Sequence, residues 1–160
     1  MGQVGTVTIY RTQDMPVALL VWAEQMQVRQ GQPIRMGVAL ENRSQRRLYL
    51  DVVGPYGLVA ETHMPCKIEV WKENQLLPYR GHIIKRPALR DEDLTPVYPG
   101  CFAGLIFDLR DPAYGYQLSQ GRYEVVLWYD SSGMRGTWFN KAKRLWRGRT
   151  SKVKVPIEVI

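Results

Sequence analysis

Histidine and cysteine are nearly missing from this 160-residue chain, which holds two of each. His63 and His82 are far apart in the sequence. A helical zinc-protease site needs two histidines one turn apart with a glutamate between them, so that both imidazoles reach one metal; that chemistry is excluded. Two cysteines cannot build a four-thiolate zinc site either. Cys66 and Cys101 can form one disulfide or stand as two free thiols, which leaves the redox compartment open. Long hydrophobic runs are absent too. The longest, Pro16 to Ala23, stops at Glu24, short of the roughly 18 apolar residues that a membrane-spanning helix requires. Met1 to Tyr10 has neither the basic nor the apolar region of a secretory signal.

Catalytic signatures are equally scarce. No Gly-x-Ser-x-Gly elbow occurs, and Gly54-Pro55-Tyr56-Gly57 lacks the lysine and following helix of a phosphate-cradling loop. Asp91-Glu92-Asp93 lacks the spaced oxygen ligands and the glycine of a calcium loop and reads as a solvated acidic turn. Glu61-Thr62-His63-Met64-Pro65-Cys66 gathers imidazole, thioether and thiol, types that suit a soft copper ion, but chance proximity in a loop is the better reading. The expectation is a non-enzyme with no cofactor and no metal.

What is present is a core-forming composition, 45% apolar and 11% aromatic, in a length that suits one domain spanning residues 1–160. Period-two alternation dominates: Ile34, Met36, Val38, Leu40; then Ile68, Val70; then Tyr123, Val125, Leu127, Tyr129. Such alternation marks half-buried strands. Turn formers punctuate it at Gln30-Gly31-Gln32-Pro33, Glu41-Asn42-Arg43-Ser44, Glu73-Asn74-Gln75 and Ser119-Gln120-Gly121. The predicted strands are 4–10, 17–28, 34–42, 47–53, 67–73, 76–85, 101–109, 122–130 and 152–159. This spacing predicts an all-β fold, an immunoglobulin-like antiparallel β-sandwich of about seven to nine strands. Tyr123, entering a strand just after Gly121, fits a tyrosine corner, in which the hydroxyl ties down the preceding loop.

Charge is distributed unevenly. The net charge is +7. Residues 131–152 carry Arg135, Lys141, Lys143, Arg144, Arg147, Arg149 and Lys152 and no acid, and removing these seven from 22 cations leaves 15 against 15 acids. The whole excess therefore sits in one basic, aromatic insertion before the last strand. At about 100° per residue, Trp138, Phe139, Ala142, Leu145 and Trp146 form one apolar stripe, so a short amphipathic helix over 137–149, capped by Thr137 and ended at Gly148, would fit. The sequence leaves its helicity open, and the favoured reading packs Trp138 and Trp146 onto the sandwich edge while the cations face solvent. Arg135, Trp138, Phe139, Lys141, Lys143, Arg144, Trp146, Arg147 and Arg149 are the candidate binding residues, since tryptophan and arginine are common binding hot spots.

From Gly31 to Tyr129 a series of features comes in a recognisable order: Ile34 to Asn42, Ile68-Glu69-Val70-Trp71, Pro78-Tyr79-Arg80-Gly81, Ile84-Lys85-Arg86-Pro87, the acidic turn, Tyr98-Pro99-Gly100, Phe107-Asp108-Leu109 with Tyr114, and Leu118 to Val125. In this order the chain resembles the β-sandwich domain that precedes the catalytic domain of deuterolysin-like (aspzincin, peptidyl-lysine) metalloendopeptidases. The resemblance covers about 100 residues and includes no counterpart of that family's catalytic residues. It implies the sandwich fold and, more loosely, a non-catalytic companion of a protease, such as an inhibitor or propeptide-like module. The partner expected is thus another protein. The alternative is a polyanion, nucleic acid or an acidic membrane surface, bound through 131–152 with strong salt dependence.

Overall fold

Alternating apolar positions fold as strands because each pleat sends successive side chains to opposite faces. The computed structural model describes residues 6–53, 64–82, 87–134 and 142–160. Its strands are β1 (Ile9–Arg11), β2 (Val17–Ala23), β3 (Gln27–Val28), β4 (Arg35–Asn42), β5 (Leu48–Leu50), β6 (Cys66–Lys72), β7 (Gln75–Leu76), β8 (Thr95–Val97), β9 (Phe102–Asp108), β10 (Gly121–Tyr129) and β11 (Val153–Val159). One 3-10 turn, Asp91–Asp93, precedes β8, and there is no α-helix among the described residues.

The strands build two large sheets, ordered β1-β2-β4-β9 and β3-β11-β10-β6-β7, and a small ribbon of β5 with β8. All neighbours are antiparallel except β3 and β11, which run parallel. Inward rows from the two sheets meet in one core: Leu19, Val21, Met36, Val38 and Phe107 on one side, and Ile68, Val70, Val125, Leu127, Val155 and Ile157 on the other. Consecutive strands repeatedly change sheet, as in the Greek-key connections of an immunoglobulin-like sandwich, and the predicted all-β sandwich is the fold observed.

Strand boundaries differ where local chemistry intervenes. The predicted strand 17–28 is two strands in two sheets. The positions that enter the main core are odd-numbered through Val17, Leu19, Val21 and Ala23, then even at Val28, and a one-residue slip of this kind forces the chain to a new face. After the break, the Glu158 N–H donates to the Met26 carbonyl at 2.8 Å and the Ile160 N–H to the Val28 carbonyl at 2.9 Å. In the described part of the predicted strand 76–85, β7 ends at Leu76 and the Leu77 N–H adds one more bond, to the Val70 carbonyl at 2.8 Å, before Pro78, which lacks an N–H. The strand predicted at 4–10 is the short β1, and 47–53 shrinks to β5. β8 escapes the pattern because Pro96 lies at its centre, a position tolerated in a two-stranded ribbon with a free side.

Two details lock the sheets. Trp22 lies across Gly37, where any Cβ would collide with the indole. The Tyr123 hydroxyl donates to the Ser119 carbonyl at 2.7 Å, which is the tyrosine corner expected from the sequence. Tyr123→Phe removes that bond and leaves the carbonyl short of a partner; it is expected to lower the unfolding free energy by about 1–2 kcal/mol, measured by urea titration.

Candidate functional site

The candidate site begins with one buried amide. Asn42 ends β4 and is fully enclosed. Its Nδ2 donates to the carbonyls of Arg46 and Val97, both at 2.7 Å, and its Oδ1 accepts from the Ser44 N–H at 2.9 Å and the Ser44 hydroxyl at 2.7 Å. An asparagine holds two donors and one two-fold acceptor, so every valence is used. The main chain adds Asn42 N–H to the Cys101 carbonyl at 3.0 Å and Gly100 N–H to the Asn42 carbonyl at 2.8 Å. The β4–β5 turn, β8 and the entry to β9 are thereby held together.

That arrangement sets out a surface of arginine and tyrosine. Arg47 lies over the rings of Tyr49, 5.0 Å from the centroid, and Tyr98, 5.8 Å away. Arg144, from the basic segment, covers Tyr49 as well, at 5.5 Å. Arg46, Arg47, Lys143, Arg144 and Tyr98 are exposed. A guanidinium on an aromatic face presents its donors edge-on, and such donors match carboxylate or phosphate oxygens two at a time. That of Arg47 also hydrogen-bonds the side chains of Tyr98 and Tyr49, which favours its charged form.

The described part of the basic segment, residues 142–149, is not helical. Its polar groups are engaged elsewhere: the Trp146 N–H donates to the Tyr49 carbonyl at 2.9 Å, and the Ser131 N–H to the Gly148 carbonyl at 2.8 Å. Leu145 bridges Tyr49 in parallel and Arg149 bridges Asp130 in antiparallel fashion. The segment is thus added to the sheets as irregular extended chain. The apolar residues that suggested a helical stripe fill two other places. Ala142 and Leu145 join Leu89, Leu94 and Met134 in a small second core, and the Trp146 ring stacks on Tyr129, with centroids 6.0 Å apart and planes 18° apart.

This placement separates the predicted binding residues. Trp146 is packed against the main core. Arg147 is structural: its guanidinium donates to the carbonyls of Met134 at 3.1 Å, Leu145 at 3.2 Å and Ala142 at 3.1 Å. Ser131 is buried and its hydroxyl donates to the Trp146 carbonyl at 2.7 Å. Lys143, Arg144 and Arg149 are exposed. Arg135, Trp138, Phe139 and Lys141 lie outside the described residues, as does His63. The acidic turn has a partner, since the Arg144 N–H donates to Asp91 Oδ1 at 2.8 Å.

Sequence reasoning missed Arg47, Tyr49 and Tyr98. The signal was available: Arg43, Arg46 and Arg47 fall between Glu41 and Asp51 with no acid among them. Summing charge over the whole body concealed this local excess.

The cysteines are both free, Cys66 in the core and Cys101 exposed, so the disulfide alternative is set aside. Burial pushes the Cys66 thiol up to about 12. A groove of about 330 Å³ beside β6 and β7 contains Glu69, but that carboxylate already accepts from Trp71 Nε1 at 2.9 Å and pairs with Lys152 at 3.7 Å. Among the described residues no three histidine, cysteine, aspartate or glutamate side chains converge as a metal site needs. No family model matches the chain, and no curated protein matches it significantly.

Two measurements check this description. Asn42→Ala takes the amide donor from the buried Val97 carbonyl and the acceptor from the Ser44 N–H, and is expected to lower stability by about 2–4 kcal/mol in denaturant titration. A thiol reagent at pH 8 is expected to label Cys101 in the folded protein at once and Cys66 only after unfolding, because the thiolate is the reacting form.

Proposed function

We propose that the chain is a non-catalytic protein-interaction module, a rigid β-sandwich that docks an acidic segment of another protein on the face formed by Arg47, Tyr49, Tyr98 and Arg144. The observation that carries this reading is the shared ring of Tyr49, which receives a guanidinium from the β4–β5 turn and another from the basic segment. Arginine and tyrosine dominate binding energy at protein interfaces because they bring large contact areas and directed donors with little loss of freedom. A scaffold that fixes its loops in advance also reduces the ordering cost of association. The resemblance to the domain preceding deuterolysin-like catalytic domains supports a metalloendopeptidase as the partner, with the module as an inhibitor or propeptide-like companion.

A second reading has its own support. Arg46, Arg47, Lys143 and Arg144 all lie exposed on or beside this face, and cations so grouped attract phosphate and sulfate polymers by releasing counterions. Polyanion binding would then depend steeply on salt, whereas docking of an acidic protein segment would need the tyrosine faces together with the arginines.

Protease capture and heparin retention separate these outcomes, and the double variant Arg47→Glu with Arg144→Glu, which leaves Arg147 in place, tests the face they share. Against a panel of immobilised metalloendopeptidases, the unaltered protein is expected to be captured and the double variant to lose at least about tenfold in affinity, with an unchanged melting temperature. Retention on heparin at modest salt without any protease capture would favour the polyanion reading. Neither capture nor retention would remove both.

A further inference from the structure

Among the described residues, the two large sheets end in four edge strands, β1 and β9 in one and β3 and β7 in the other. An open edge offers unpaired N–H and C=O groups to any extended chain, and folded proteins blunt it by brevity, charge, proline or a bulge. β1, β3 and β7 are blunted by brevity, at three, two and two residues. β9 runs for seven residues, and Phe102-Ala103-Gly104-Leu105-Ile106-Phe107 includes no charge and no proline. Asp108, which closes the strand, turns its carboxylate back to accept from the N–H groups of Ile34 at 3.0 Å and Arg110 at 2.9 Å.

The ladder to β4 fixes which groups remain open. It is framed by Asn42 N–H to the Cys101 carbonyl and Leu109 N–H to the Ile34 carbonyl, so the odd-numbered residues of this stretch bond to β4. In an antiparallel ladder the intervening residues direct their main-chain groups the other way. Those of Phe102, Gly104 and Ile106 therefore point to the open side. Phe102 and Ile106 are also 55% and 62% exposed.

We infer that β9 pairs antiparallel with β9 of a second copy of this chain, across a two-fold axis at Gly104, so that the two four-stranded sheets become one continuous sheet. The strand is self-complementary in this register. Phe102 of each copy stands beside Ile106 of the other on the outer sheet face, so each exposed apolar side chain gains a cross-strand apolar neighbour, and glycine faces glycine at the axis. The open groups of three residues per chain satisfy one another. With the axis at Leu105 instead, Phe102 would face Asp108 and Ile106 would face a glycine, which leaves apolar surface uncovered. A two-fold contact is closed, so it ends at a dimer and does not grow into a fibre. This edge is distinct from the Arg47 and Tyr49 face, and the failure of either reading leaves the other standing.

Sedimentation velocity on the full chain, from about 1 μM to about 500 μM, tests the pairing in the range expected for a small interface. The unaltered protein is expected to shift from monomer to dimer with concentration. Phe102→Lys and Ile106→Glu are each expected to remain monomeric throughout, with melting curves within a few degrees of the original because both positions are solvent-facing. The two changes combined in one chain are expected to restore the dimer, since each introduced lysine then meets an introduced glutamate. A monomeric parent at the highest concentration overturns the proposal, as do single variants that still dimerise at the parent's strength. Failure of the folded double variant to dimerise overturns the register at Gly104.

Discussion

A single side-chain amide in the interior, that of Asn42, constrains more of this molecule than any other group described. It has no exposure to water, so each of its donors and acceptors must be met by protein, and each is. A half-satisfied amide in such a place would cost more than an apolar replacement. Because the partners come from the next turn and from β8, satisfying Asn42 means placing Arg46 and Val97 correctly. Arg47, Tyr49 and Tyr98 are thus positioned by an interior group that touches none of their rings. The surface chemistry inherits its geometry from the core.

The same residue type serves opposite ends within a few positions of sequence. Arg144 and Arg147 share the basic segment, yet Arg144 spreads over an exposed tyrosine while Arg147 spends its donors on three main-chain carbonyls. The difference lies in what surrounds each guanidinium. Irregular chain leaves carbonyls without ladder partners, and a planar group with five donors is suited to collect them. Formal charge counted along the chain therefore overstates what the segment presents outward. Lys152 belongs to the same discount, since it lies 4.2 Å from the Trp128 ring and pairs with Glu69.

The architecture was legible in the sequence because alternation reports burial directly. β4, β6, β10 and β11 follow their apolar rows to within a residue or two, and the Tyr123 corner could be read from a glycine turn followed by a strand. The switch from β2 to β3 was legible too, in the phase slip after Ala23, although a single long strand was the simpler reading. The helical alternative over 137–149 is not taken up by its described part, 142–149, for a different reason. A helical stripe tests whether apolar residues could share one face of an isolated segment; it cannot register that Tyr49 and Tyr129 offer main-chain partners and ring faces from distant parts of the chain. The arginine and tyrosine face was hidden in the same way, being assembled from three segments that Asn42, the β5–β8 ribbon and the bonds of the basic segment to Tyr49 and Asp91 bring together. β8 itself was obscured by its proline.

The parallel pairing of β3 with β11 gives the sandwich a mechanical character. β11 is held between β10 on one side and β3 on the other, and the Gln30 N–H adds a further bond to the Ile160 carbonyl at 2.8 Å. Tension along the polypeptide would draw β3 toward its start and β11 toward its finish. Since the two run the same way, the bonds between them are pulled in shear and must rupture together, whereas an antiparallel hairpin pulled from its open ends would unzip one rung at a time.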